Sequence, residues 1–306
     1  MGKMRSLFQL LLISVILCFP LKLQAAPVEP EHPSSLELEY TADNKAFEGL
    51  DVKLYCVAEV IPDGTYALTG AFANYPVNIY GITAQKEWDE IRETLCSYIV
   101  ADEIEPTCIG KTDEKGIVLF SDLLPGIYLI EEIELDLGNE TAFFDNFLVV
   151  VPTQSEDGSY NYDVAAKPKC LISSVDPAPK YSEYKVVKQW KDYGKENERP
   201  KLIEVEIYKD EKLDSIVQLS EENNWTYRWK SEEDGSKWSV VEKNVPDGYR
   251  VTTITEGNTI VLTNTCEGEA SKPETGDQVS VWPYILGLCF SGMVLIIAGV
   301  WRKRKA

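Results

Sequence analysis

Few residues of this sequence have the type and spacing that enzymes use for chemistry. The single histidine, His32, lies in a polar stretch at residues 29–35. Neither histidine-based catalysis nor a histidine metal site is therefore expected. The sequence also has no Ser/His/Asp set, no nucleotide-binding glycine loop and no cluster of metal-ligating residues. We predict that the protein is not an enzyme, uses no cofactor and holds no metal.

Five cysteines lie between the two apolar ends of the chain. Because five is odd, at least one thiol stays free or pairs with another molecule. A disulfide could join a predicted helix end to the next strand, and another could join the two ends of the second predicted domain. Sequence does not fix the connectivity, so both stay open. The pairs would be Cys96 with Cys108 and Cys170 with Cys266, leaving Cys56.

Thr275 belongs to a short motif before the last apolar run. Residues 279–301 carry no charge and are long enough to cross a bilayer as a helix. The basic tail at 302–306 would stay in the cytoplasm by the positive-inside rule. Motif, span and tail, together residues 272–306, resemble the Leu-Pro-x-Thr-Gly sorting signal of Gram-positive surface proteins. The motif reads Lys272, Pro273, Glu274, Thr275, Gly276; lysine in place of leucine leaves the sortase class open.

This resemblance implies acyl transfer at Thr275. A sortase thiolate would attack the Thr275 carbonyl, and an amine of peptidoglycan or of another pilin subunit would resolve the acyl-enzyme. Gly276 and the residues after it would remain in the membrane. The alternative is a plain C-terminal anchor, as in a eukaryotic type I receptor. Asn139 and Asn224 would then be glycosylation sites.

Residues 1–26 have the layout of a secretory signal. Lys3 and Arg5 precede an apolar run, and small residues at positions 25 and 26 suit cleavage. We predict removal of this segment; an uncleaved anchor is the alternative. The chain has a net charge of −20, and its exported part is more acidic still, which argues against nucleic acid or anionic lipid as a partner. The expected location is the cell wall of a Gram-positive bacterium.

The segment between the two ends is predicted to be all-β. Short β-branched or alternating segments recur between turn signals, a pattern typical of β-sandwiches. About 240 residues suit two domains of ordinary size. We place the first domain at residues 35–169, a linker at 170–183 and the second domain at 184–266.

One helix is predicted inside the first domain, at residues 83–100. Its apolar residues recur every three or four positions and fall on one face, which predicts packing against a core. These residues are Trp88, Ile91, Leu95 and Ile99.

Both domains resemble the collagen-adhesin B-type (CnaB) sandwiches of Gram-positive pilins. In the first domain this resemblance lies in the turns and strands at 112–129, while the closing strands at 147–152 and 162–164 resemble those of pilin N-terminal domains. The second domain matches more closely, from 186 to 265. Its segment 238–249 is similar to the pilin E-box, in which an aromatic residue, a glutamate and Pro-x-Gly-Tyr recur.

The resemblance implies an internal isopeptide bond in the second domain. Its lysine would be Lys188, its asparagine Asn264 and its assisting glutamate Glu242. Burial would favour a neutral amine and a protonated carboxyl, so the amine could attack the amide and release ammonia. The alternative is three ordinary surface residues. The first domain lacks this set, and its only lysine candidate, Lys53, lies on the wrong strand, so we expect no such bond there.

Lys169 is a candidate acceptor for the threonine of the next subunit. Backbone pilins carry an aromatic residue, spaced valines and then Tyr-Pro-Lys. Here Tyr160, Ala166 and Lys167 depart from the usual Trp, Val and Tyr, while Val164 and the final Pro-Lys agree. A solvated linker lysine is the alternative.

The leading hypothesis is a structural pilin subunit, exported and then polymerised or anchored to the wall by a sortase. The second hypothesis is a monomeric wall-anchored adhesin that binds a host protein or glycan. The two differ in whether other pilin subunits are covalent partners.

Overall fold

The computed structural model describes residues 28–61, 65–155, 157–174, 181–232 and 234–266. Strands account for most of its regular structure, and the one long helix lies where it was predicted, so the predicted all-β class is confirmed. Within these ranges no helix is long and apolar enough to cross a membrane.

The first half of the described chain, residues 28–174, contains the helix, α1, which spans Gln85–Asp102. The Glu87 carboxylate accepts the Ala84 N–H at its start, as in a capping box. The strands of this half are β1 (Ser34–Glu39), β2 (Thr41–Ala42), β3 (Lys45–Ala46), β4 (Asp51–Val60), β5 (Tyr66–Leu68), β6 (Cys108–Lys111), β7 (Ile117–Leu123), β8 (Gly126–Ile130), β9 (Ile133–Asp136), β10 (Glu140–Phe144), β11 (Phe147–Val151), β12 (Thr153–Gln154), β13 (Tyr160–Asn161), β14 (Asp163–Ala166) and β15 (Cys170–Ser174).

Sheets of the first half enclose an apolar core. One sheet has the order β14-β1-β7, a second the order β11-β8-β4-β5 with β6 paired to β4, and a third the order β15-β10-β9. Leu36 and Leu38 on β1 point inward, as period-two alternation requires. The structure differs from the predicted linker at residues 170–183, because Cys170–Ser174 form β15 and pair with β10.

The second half, residues 181–266, has two facing sheets. They have the orders β19-β16-β22-β21 and β18-β17-β20. On β17, Ile203, Val205 and Ile207 are buried while Glu204 between them is exposed, so one face of the strand lines the core. The strands are β16 (Tyr181–Lys191), β17 (Leu202–Lys209), β18 (Lys212–Ser220), β19 (Thr226–Glu232), β20 (Trp238–Val241), β21 (Tyr249–Glu256) and β22 (Thr259–Cys266).

Helix α1 packs against both halves. It contacts β11 of the first half and β20 and β21 of the second. Ile91, Leu95 and Ile99 are buried, so the predicted core stripe is confirmed for these residues, and Trp88 packs at its margin. The same apolar cluster continues into the second half through residues such as Val251.

Candidate functional site

Lys188 and Asn264 lie on neighbouring parallel strands inside the second half. In the β16–β22 ladder, Lys188 is opposite Leu262 and Trp190 is opposite Asn264. Strand alternation places Lys188 on the same inward face as the buried Val186. The lysine therefore points into the sandwich rather than into water.

Glu242 reaches these two residues from the facing sheet. It directly follows β20, and its Oε2 accepts a hydrogen bond from the Lys188 ammonium. Its Oε1 accepts a hydrogen bond of 3.1 Å from Nδ2 of Asn264. The side chains of Lys188 and Glu242 are both 0% exposed, and Asn264 is also 0% exposed. The structure thus brings the three predicted residues together in one buried centre.

Burial shapes the chemistry of this centre. Loss of hydration lowers the pKa of Lys188 to about 8, although the Glu242 carboxylate beside it acts in the opposite direction. Among the described residues, Oδ1 of Asn264 has no hydrogen-bond donor. An amine that can lose its proton therefore lies in one centre with a carboxyl group and an amide carbonyl oxygen without a donor. This arrangement suits attack of the amine on the amide.

Aromatic rings and a second ion pair support the centre. Trp190 lies 4.9 Å from the Lys188 ammonium and packs edge-on against Trp225 and Tyr249. Asp192 accepts hydrogen bonds from Arg199 Nε at 2.7 Å and from the Tyr249 hydroxyl at 2.8 Å. Burial acts to raise the pKa of Asp192, but these bonds outweigh it and lower the pKa. Sequence reasoning missed Asp192, which directly follows β16.

The sequence of this half matches a known domain family. Residues 184–265 match the profile of the Cna protein B-type domain. Over these residues the chain is similar to that domain family. The CnaB resemblance predicted for the second half is confirmed, whereas the internal bond and the resemblance of the first half stay predictions. No curated protein has a sequence that matches the chain.

Solved structures give weaker likenesses. A single B repeat unit of the collagen-binding surface protein Cna of Staphylococcus aureus is 17% identical, with 77% of this chain and 98% of that chain covered and a TM-score of 0.27. The full-length major pilin SpaD of Corynebacterium diphtheriae is 14% identical, over 80% and 100%, with a TM-score of 0.29. The T6 backbone pilin of serotype M6 Streptococcus pyogenes is 12% identical, over 78% and 64%, with a TM-score of 0.32. Such low values support no conclusion about assembly or ligands.

Among its described residues, the first half has no counterpart of the triad in the second half. Lys53 lies on β4 and forms an ion pair of 2.8 Å with Glu131, the two side chains being 41% and 26% exposed. Across the described ranges, Lys188 is the only buried lysine. The expectation that no internal bond forms in the first half agrees with this geometry but stays a prediction.

Lys169 and Lys167 lie close together but differ in their contacts. Lys167 donates hydrogen bonds to Glu39 at 3.0 Å and to Thr41. Lys169 is exposed, and within the described ranges no side-chain group accepts from its ammonium; only its backbone carbonyl is used, by the Asp145 N–H.

The two candidate disulfides are absent. All five cysteines of the described ranges are free thiols. Cys96 packs against the core cluster that α1 shares with the second half, whereas Cys108 packs against the first-half core. Cys170 pairs with β10 of the first half, and Cys266 pairs with β21 of the second. The partners of each proposed pair thus lie in different cores or different sheets, and neither pair is joined in the structure.

The sorting motif lies outside the described residues. This applies to Lys272, Pro273, Glu274, Thr275 and Gly276, and likewise to the predicted signal at 1–26 and the predicted span at 279–301. These assignments stay predictions from sequence.

Proposed function

We propose that this protein is a structural subunit of the Gram-positive cell surface, joined covalently by a sortase and strengthened by an internal Lys188–Asn264 isopeptide bond. The buried triad carries the proposal. A lysine and a glutamate buried together destabilise a fold unless geometry and chemistry compensate, and bond formation would remove the charge on the lysine. Beyond closing its own bond, the protein has no enzymatic role in this proposal.

The internal reaction would run as follows. A proton moves from Lys188 Nζ to the Glu242 carboxylate, and the neutral amine attacks Cγ of Asn264. Rotation of the Asn264 amide would let protonated Glu242 donate to Oδ1, which otherwise lacks a donor. The new Nζ–Cγ bond forms, the Cγ–Nδ2 bond breaks, and Nδ2 leaves as ammonia after receiving a proton through Glu242.

Intact mass tests this reaction. The full exported chain should weigh one ammonia less than its sequence, and Glu242→Ala should restore the missing mass. Lys191→Ala serves as the matched control, because Lys191 is an exposed lysine on the same strand and its loss should leave the mass deficit unchanged. A wild-type chain of full mass would contradict the proposed bond.

Anchoring is tested at Thr275. Thr275→Ala should leave the protein in the membrane and the medium, absent from purified wall, because a sortase acyl-enzyme must form at that carbonyl. Ser271→Ala is a nearby control that should be anchored normally. Unchanged release by muramidase digestion would refute the sorting proposal.

Polymerisation is proposed to use Lys169 as the acceptor. Its exposed ammonium is available to an acyl-enzyme, whereas Lys167 is held by Glu39. Tension would then enter at Lys169 and leave at Thr275, and so cross the bonded second half. Lys169→Ala should abolish the SDS-resistant ladder of wall extracts but keep wall-linked monomer, and Lys167→Ala should do little. A ladder that persists in Lys169→Ala would make the protein a minor pilin or an adhesin.

A monomeric adhesin is the second candidate. A cleft of about 630 Å³ lies between α1, the β8–β9 region and the β17–β18 turn, and both Arg92 and Trp238 line it. Such a cleft has the size of a ligand site. A single discrete band from wall extracts, with no ladder, would favour this candidate over the pilin.

A further inference from the structure

The exposed edge of the second half is covered by residues of the first half. β21 is an edge strand, and such a strand normally leaves alternate backbone N–H groups to water. Here three successive outward groups donate to first-half acceptors. The Val251 N–H donates to Pro76 O at 2.8 Å, the Thr253 N–H to Thr94 Oγ1 at 2.7 Å and the Thr255 N–H to Glu93 Oε2 at 2.6 Å.

Thr94 is well suited to this contact. Its hydroxyl donates to the Glu90 carbonyl at 2.6 Å and accepts from Thr253, so both capacities of the hydroxyl are used. The space between α1 and the strand ends around Glu242 leaves no room for a water molecule. Water therefore cannot replace Thr94 as the acceptor without a rearrangement.

The end of α1 also holds the backbone of Glu242. The Tyr98 hydroxyl donates to the Glu242 carbonyl oxygen at 3.3 Å, and this contact is buried. Burial raises the pKa of Tyr98, so the hydroxyl keeps its proton. Next along the chain, Lys243 forms an ion pair with Asp102 at the end of α1. Tyr75 stacks on Tyr98 at a centroid distance of 4.0 Å and donates to Asp102 at 2.5 Å.

These contacts occur where the sheet itself no longer holds Glu242. The β17–β20 ladder ends at the pair Glu206–Val241, so Glu242 lies just past the last paired residue. Among the described residues, Tyr98 of α1 donates a hydrogen bond to the Glu242 carbonyl. Asp102 at the end of α1 forms an ion pair with Lys243, the residue after Glu242. A carboxyl group that must lie between an amine and an amide needs its backbone fixed, because small misplacements slow such reactions strongly.

We propose that α1 of the first half is a working part of the bond-forming centre of the second half. Tyr98 and Thr94 are positioning residues: they fix Glu242 and close the open edge beside it. The isopeptide bond therefore forms at full rate only after the two halves have docked. This inference rests on the proposed internal bond and adds to it a requirement from the other half of the chain.

The experiment follows ammonia loss by mass in the full exported chain, newly made by cell-free synthesis, while near-UV circular dichroism reports the folded fraction. Tyr98→Phe removes one hydroxyl and should slow the rate constant about five-fold, equivalent to about 1 kcal/mol in the barrier. Thr94→Val should lower the rate constant of ammonia loss at least as much. Thr94→Ser keeps the hydroxyl acceptor, so its rate constant should equal that of the wild type. Loss of fold alone would lower the amplitude of the reaction and leave the rate constant of the folded chain unchanged.

Tyr55→Phe is the matched control. Tyr55 is a buried first-half tyrosine whose hydroxyl donates to Glu131 at 3.1 Å, away from the triad. The Tyr55→Phe variant should therefore lose ammonia with the same rate constant as the wild type. Complete mass loss at the wild-type rate in Tyr98→Phe and Thr94→Val would overturn the role of α1 while the bond itself stands. No mass loss in the wild-type chain would overturn both proposals. If Thr94→Val fails to fold, Tyr98→Phe still decides the question.

Discussion

In both halves the opening strand pairs in parallel with a closing strand, but the buried side chains at this pairing differ. In the first half, β1 pairs in parallel with β14, placing Leu36 opposite Val164 and Leu38 opposite Ala166. In the second half, β16 pairs in parallel with β22; β16 carries Lys188 inward and β22 carries Asn264 inward. Opening and closing strands thus meet in both halves. Apolar burial holds the first pair, while the second has a buried polar triad at the same place.

The comparison separates what the fold needs from what it does not. The first half shows that apolar side chains suffice to join the opening and closing strands, because burying them is favourable. Burying a lysine–glutamate pair is at best neutral for stability compared with apolar residues of similar size. The triad therefore has no explanation in folding alone. The proposed reaction would explain it, since a covalent closure would resist unfolding and tension in a way that apolar contacts do not.

Removing the covalent closure should make the second half resemble the first, and this is the largest effect we expect. The loop from Lys188 to Asn264 contains 77 residues. A cross-link of that length stabilises by about 4–5 kcal/mol if it acts on the unfolded chain as a disulfide does. Asn264→Ala should therefore lower the free energy of unfolding by this amount, measured by urea unfolding of the full exported chain. Glu204→Ala, at an exposed position of β17, is the control and should unfold at the same urea concentration as the wild type. Equal unfolding midpoints for the wild type, Asn264→Ala and Glu204→Ala would contradict the covalent closure.

The apolar closure of the first half should depend on packing alone. Leu38 is fully buried, so Leu38→Ala should destabilise the first half by about 2–5 kcal/mol through lost burial and the cavity left behind. Leu119→Ala is the control, since Leu119 is exposed on the neighbouring β7. The measurement is urea unfolding of the first half, monitored by hydrogen exchange of its backbone amides. Equal losses in the two variants would mean that β1 contributes no packing to the closure.

The rate of closure should fall at alkaline pH. The reaction needs one proton on the Lys188–Glu242 pair, which moves from the amine to the carboxylate. The pKa of Lys188 is lowered to about 8, so above that pH the pair loses this proton and Glu242 can no longer donate. We expect the rate constant to fall about tenfold per pH unit above about 8. Mass spectra recorded across the range test this; a rate that keeps rising to about pH 10 would show that the neutral amine alone limits the reaction.

The smallest effect should come from the ion pairs between the halves. Lys237 lies 3.0 Å from Glu132 and 3.4 Å from Glu134, and its side chain is 41% exposed. Exposed ion pairs contribute little to stability, so Lys237→Ala should lower the free energy of unfolding by at most about 1 kcal/mol, and by less in high salt. Urea midpoints at low and high salt give the comparison, with the exposed Lys212→Ala as control. A loss larger than that of Thr94→Val would show that charge, and not the capped edge of β21, holds the halves together.

The sequence by itself determined the local structure and the identity of the triad. Alternation along segments such as β17 identifies strands, because a strand has only two faces. Lys188, Glu242 and Asn264 were found because they stand at fixed places in a domain whose sequence profile the chain matches. The stripe of Ile91, Leu95 and Ile99 likewise predicted a buried helix face.

Only the tertiary structure decided which surfaces cover one another. The helical stripe showed that one face is apolar, but an apolar face packs against any complementary surface, so the contact with β21 could not be predicted. The same applies to Cys170–Ser174, which form an added strand instead of a linker because β10 offers an open edge. Closeness to a domain end in sequence does not set the distance between two thiols, and the five cysteines of the described ranges are free. Tyr98 acquires its proposed role because folding brings it to a residue 144 positions away.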